Sequence, residues 1–83
     1  MELQKVVICR AAGLMGWVAE CQYDDGRNLL DLDIQARDLP EAIELAEDTY
    51  PEVEVTVEAD TFWTQKHNEY LKAKFGRTDF SQC

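Results

Sequence analysis

The chain has 83 residues, 46% of them hydrophobic, and a formal net charge of −9. That length holds one small core and no second domain, and that apolar content favours folding over disorder. The charge excludes a chain built to bind nucleic acid or anionic membrane directly, and it favours a basic protein partner.

The charge is concentrated in one block. From Glu20 to Asp60 there are fourteen acids and two arginines, a balance of −12. The rest of the chain has three acids and six bases, a balance of +3. No apolar run approaches the roughly 20 residues of a membrane span, and "MELQKVVICR" has an acid at Glu2 and too short an apolar stretch for a secretion signal. A cytoplasmic protein is expected. Cys9, Cys21 and Cys83 form no C-x-x-C pair and His67 is the one histidine, so neither a zinc site nor a disulfide framework is expected. Cys9 and Cys21 read as small buried hydrophobes.

"KVVICRA", from Lys5 to Ala11, reads as a first strand. "AAGLMG" (Ala11 to Gly16) breaks it. The segment lacks the order of a phosphate-binding glycine loop, but its Leu14 and Met15, with Trp17, are candidate exposed anchors for a partner. From Trp17 to Tyr23 the chain alternates as a second strand, and "DDGR" supplies a hairpin turn. Leu30, Leu32, Ile34 and Ala36 then alternate with Asp31, Asp33, Gln35 and Arg37, the pattern of a strand with one buried and one wet face.

Asp38 and Glu41 have capping-box spacing, and Pro40 suits a first helical turn. Leu39, Ala42, Ile43, Ala46 and Tyr50 make one apolar stripe, while Glu44, Glu47 and Asp48 point away. Tyr50 and Pro51 end the helix. Val53, Val55, Val57 and Ala59 alternate with Glu52, Glu54, Thr56 and Glu58 as a fourth strand. A second helix, capped by Asp60 or Thr61, runs through Phe75 and stops at Gly76. Residues 77–83 read as a tail that Phe80 anchors. The expectation is a single α+β domain over residues 1–76, of order β-β-β-α-β-α. Its four-stranded, mostly antiparallel sheet has one or two helices packed on it. The pattern leaves open whether the fourth strand lies beside the first or the third.

If the third and fourth strands are in one sheet, Asp31, Asp33, Glu52, Glu54 and Glu58 share its outer side, with Glu20 from the second strand, and form rows of carboxylates. Their spacings, about 6.8 Å along a strand and about 5 Å across, let them imitate phosphates. Asp24 and Asp25, at the turn, extend that surface. The plain alternative is a solvated face that resists aggregation. Carboxylates on a wet sheet face lack the raised pKa an acid–base pair needs, and no calcium-loop pattern is present, so no enzyme, metal or cofactor is expected. The second helix interleaves Lys66, His67, Lys72, Lys74 and Arg77 with Trp63, Tyr70 and Phe75. This pattern reads most simply as an amphipathic helix with a wet basic face, His67 on its surface. It also suits docking on the acidic sheet of a second copy, giving a homodimer or a self-assembling module.

"IQARDLPEAIELAEDTYPEVEVTVE" resembles small acidic phage-encoded anti-defence proteins of the anti-CRISPR type. The resemblance covers roughly residues 30 to 58. It implies an inhibitor that occludes the nucleic-acid groove of a host ribonucleoprotein such as a CRISPR effector. The partner-binding residues expected are Asp24, Asp25, Asp31, Asp33, Glu52, Glu54, Glu58 and Trp17. An antitoxin-like regulatory protein, binding through Leu14, Met15 and Trp17, is the alternative beside self-assembly.

Overall fold

The structure is a computed structural model, and it describes residues 2–10, 16–59, 63–77 and 79–80. Its elements are β1 (Leu3–Cys9), β2 (Trp17–Tyr23), β3 (Asn28–Ala36), α1 (Leu39–Thr49), β4 (Glu54–Val57) and α2 (Gln65–Phe75). The order matches the sequence expectation.

The four strands form one sheet in the order β3-β2-β1-β4. β1, β2 and β3 are an antiparallel meander, and β4 runs parallel to β1. The open question about β4 is therefore answered by β1. The chain leaves β3 at one edge, crosses the sheet through α1 and lands at the other edge. β3 and β4 are three strand spacings apart, about 14 Å.

One face of the sheet packs on α1. Val6 and Ile8 of β1, Trp17, Ala19 and Cys21 of β2, Ile34 and Ala36 of β3, and Val55 and Val57 of β4 meet Leu39, Ala42, Ile43 and Ala46 of α1 in the core. The stripe read from the sequence thus builds the helix–sheet contact. Cys21 lies on this face. Cys9 pairs across from Val18 on the opposite face, so the two thiols are not bonded to each other.

α2 begins three residues later than its nearer expected cap. Thr64 is the N-cap, and Asp60 and Thr61 lie outside the described residues. Thr64 Oγ1 accepts from the His67 N–H at 3.4 Å, and His67 Nδ1 accepts from the Thr64 N–H at 3.0 Å. The two donors are satisfied reciprocally, with histidine in the place glutamate usually takes. Gly76 closes the helix in the left-handed conformation, φ 78°. The expected cap on α1 is only half present: Asp38 is the N-cap residue but its side chain makes no capping bond.

Leu71 is α2's buried residue, and Lys74 reaches Glu47 of α1 at 2.9 Å. Beyond Gly76, Phe80 is buried. It meets Trp63 and Phe75 edge-on at ring distances of 6.0 and 5.5 Å, with Arg77 over its face at 4.6 Å. No helix among the described residues is long and apolar enough to cross a membrane.

Candidate interaction surface

The strict alternation in β3 does not survive pairing with β2. Ala36 and Gln35 face Trp17 and Val18, but the next pair is Ala19 with Asp31. Residues 32 to 34 therefore bulge opposite a single step of β2. An odd insertion reverses which face each later side chain takes. Ile34 and Ala36 bury as expected. Asp31 and Leu29 then fall on the α1 side, across from Ala19 and Cys21, and Leu30 falls on the other side, across from Glu20. Leu30 and Leu32, expected in the core, are 47% and 56% exposed, and Leu29 is 49% exposed.

The bulge is held by Asp31. Its Oδ1 accepts from the Asp33 N–H at 3.1 Å, and its Oδ2 accepts from the Tyr50 hydroxyl at 2.5 Å. Tyr50 is the C-cap of α1. Donating to this carboxylate, with the Cys21 thiol beside it, raises the Tyr50 hydroxyl pKa well above its ordinary value. Between these groups lies a shallow hollow of about 420 Å³. Tyr23, Leu29 and Leu32 are among its apolar walls, and Asp31, Asp33 and Tyr50 are polar.

A continuous acidic sheet face over β3 and β4 is thereby corrected. The two strands occupy opposite edges, and Asp31 points to the α1 side while Glu54 and Glu58 share the outer face with Glu20 and Gln22. That outer face also carries Lys5, directly across from both Gln22 and Glu54. Glu52 is exposed in the turn between α1 and β4. Asp24 and Asp25 are exposed as expected but engaged locally: Asp24 Oδ1 accepts from the Glu2 N–H at 3.0 Å, and Asp25 pairs with Arg27 at 2.8 Å. The Arg27 guanidinium holds the Asp25 carboxyl below its ordinary pKa.

Trp17 is also corrected as an exposed anchor. It is 5% exposed, with His67 edge-on at 5.1 Å and the Arg10 guanidinium over its ring at 5.3 Å. Its indole flanks a glycine with φ +84°, and alternation places it on the core face because it pairs with Ala36. His67 is consequently half-buried rather than a surface residue. Leu14 and Met15 lie outside the described residues.

The acidic surface that emerges instead is the outer side of α1. Glu41, Glu44 and Asp48 are exposed at helical spacing, with the 38%-exposed Leu45 among them. Among the described residues the ion pairs are Arg27–Asp25, Lys74–Glu47 and Arg77–Asp79, so none of these three carboxylates is in an ion pair, although Lys74, bonded to Glu47, also feels the charge of Glu44. No basic residue lies in the last turn of α1. Carboxylates there oppose the helix dipole, and Glu44 and Asp48 repel at i, i+4. The sequence signal for this surface was the −12 block and the three acids off the apolar stripe.

The chain matches no protein-family model, no curated protein and no solved structure. Among the described residues no group of three or more His, Cys, Asp or Glu side chains is placed to hold a metal ion. Of the bases on α2, Lys74 is occupied by Glu47 of its own chain, while Lys66 and Lys72 are exposed.

Proposed function

We propose that this chain is a non-enzymatic, acidic protein-binding domain. It covers a basic, nucleic-acid-binding surface of a partner, in the manner of the phage anti-defence proteins its sequence resembles, with a host ribonucleoprotein such as a CRISPR effector as the target class. The observation that carries the reading is the acidic outer side of α1: Glu41, Glu44 and Asp48 stand exposed and outside any ion pair, with Lys74, already bonded to Glu47, as the base whose charge Glu44 feels. Ordinary soluble surfaces intersperse both signs. Here Asp48, in the last turn, works against the helix dipole and repels Glu44, a stability penalty that a binding role accounts for, while Glu41 in the first turn sits where the dipole favours it.

Neighbouring acids extend this surface. Glu52 follows α1, and Asp33 and half-buried Asp31 lie at the β3 edge that Tyr50 ties to the end of α1. The field of such a surface speeds encounter with a basic cleft and screens away with salt. The test is capture of proteins from a bacterial lysate on the immobilised chain. The reading expects captured proteins to be nucleic-acid-binding, to be released by raised salt, and to be displaced by added DNA. It expects Glu41→Lys/Glu44→Lys/Asp48→Lys to capture none of them. Capture that is indifferent to DNA and to that variant sinks the reading.

A further inference from the structure

We infer that the free edge of β3 receives an extended segment of the partner, added as a fifth strand, with apolar side chains beside Leu29 and Leu30 and lysine or arginine beside Asp31 and Asp33. The inference deepens the proposed function and rests on its reading of a basic partner.

The two edges of the sheet are built differently. β4 is four residues long, has the acid Glu54 as its one exposed residue, and presents no exposed large apolar side chain. Short, charged edges are how native sheets avoid unwanted pairing. β3 is nine residues long, with its regular ladder over Asn28–Asp31 on one side of the bulge, and carries Leu29, Leu30 and Leu32, three of the four large hydrophobic residues that stand exposed among the described residues. Leu29 and Leu30 point to opposite faces, so an added strand meets apolar surface on both of its own faces. The hollow beneath the bulge gives one of those faces depth, about 420 Å³ between Leu29, Leu32, Tyr23 and Tyr50.

Charge selects the occupant. Asp31 and Asp33 lie within this apolar row, and Asp24 and Asp25 stand at the hairpin that leads into it. A second copy paired antiparallel about the middle of β3 sets Asp31 and Asp33 against the same acids of its twin, in a chain of net charge −9. Like charges directly opposed across strands destabilise the pair. A basic segment reverses the sign of the same contacts. Strand addition then takes affinity from main-chain hydrogen bonds and specificity from alternate side chains.

The test uses the full chain and three nine-residue peptides, the length of β3: alternating valine and lysine, valine and serine, and valine and glutamate. Amide exchange and backbone shifts are followed by NMR. The valine–lysine peptide is expected to slow exchange at β3 amides and to bind at least about tenfold more tightly than the valine–serine peptide, with the glutamate peptide weakest. Leu30→Lys and Leu32→Lys, at exposed positions, are expected to weaken it by about tenfold or more. Equal binding of the lysine and serine peptides, protection away from β3, or self-association of the chain through β3 overturns the inference. If the peptide fails while the α1 variant still abolishes DNA-competed capture, the strand-addition inference falls and the proposed function stands. If both fail, the proposed function falls with it.

Discussion

The Tyr50 hydroxyl donates to Asp31 at 2.5 Å, joining the end of α1 to the bulge of β3. This contact spans the element that carries the acidic helix face and the strand that carries the exposed leucines. It also explains why Asp31, on a strand that reads as alternating, is held on the α1 side: its carboxylate caps the Asp33 N–H and takes the tyrosine at once.

Tyr50→Phe removes the donor and leaves Asp31 with one bond fewer. A loss of about 1–2 kcal/mol in denaturant unfolding at neutral pH is expected, as for a hydrogen bond to a charged group that is partly exposed. The pH dependence has a definite sign. The Tyr50 hydroxyl titrates in the folded state above its ordinary value of 10.0, because Asp31 accepts its hydrogen bond, so the contribution is fully present below about pH 10 and fades as pH rises toward the folded value. The gap between native chain and variant should therefore shrink in alkaline solution. A gap that widens there contradicts the assignment.

Gly16 and Gly26 both have positive φ, +84° and +88°, but only one is crowded. A Cβ on Gly16 falls 2.2 Å from the Ala36 carbonyl oxygen, where β2 starts against the end of β3, whereas nothing lies within 4 Å of one on Gly26. Gly26→Ala is expected to cost about 1 kcal/mol from backbone strain alone. Gly16→Ala adds overpacking against backbone and is expected to lose about 3 kcal/mol or more. Thermal unfolding of the two variants side by side checks the ranking.

Thr64→Ala opens the reciprocal cap of α2, with an expected loss of about 1 kcal/mol, and Thr61→Ala should be near neutral if Thr64 alone caps the helix. Equal losses from the two threonines in urea titrations contradict a helix that starts at Gln65.

Asp48→Lys places a base in the last turn of α1, where none stands. Relief of the dipole and of the Glu44 repulsion should stabilise the fold by about 0.5–1 kcal/mol while weakening partner capture. Opposite movement of stability and binding is the signature of an acid kept for recognition. Weaker binding together with weaker folding points to a structural residue instead.

The element order was legible because periodicity, the Asp-Gly turn and the helix stops are local signals. The α1 stripe of Leu39, Ala42, Ile43 and Ala46 buries as its spacing implies. The bulge was not legible, since the apolar–acidic alternation runs unbroken through Leu32 and only the register against β2 reverses the faces. The neighbour of β4 was equally hidden, because Val55 and Val57 bury the same way beside either strand. Trp17 looked like a loop anchor from its place after two glycines, and its pairing with Ala36 puts it inside. The candidate site moved accordingly. Its charge was visible in the −12 block, but its location on α1 and the β3 edge depended on which strands end up at the margins.

Competition between the acidic surface and nucleic acid for a basic partner can be measured directly. Labelled DNA bound to a captured partner is titrated with the chain and followed by fluorescence anisotropy, at low and at raised salt. The native chain is expected to displace the DNA, with displacement weakening steeply as salt rises, and Glu41→Lys/Glu44→Lys/Asp48→Lys is expected to leave the DNA bound. DNA that stays bound in the presence of saturating native chain, or is displaced equally by the lysine variant, contradicts the proposed function.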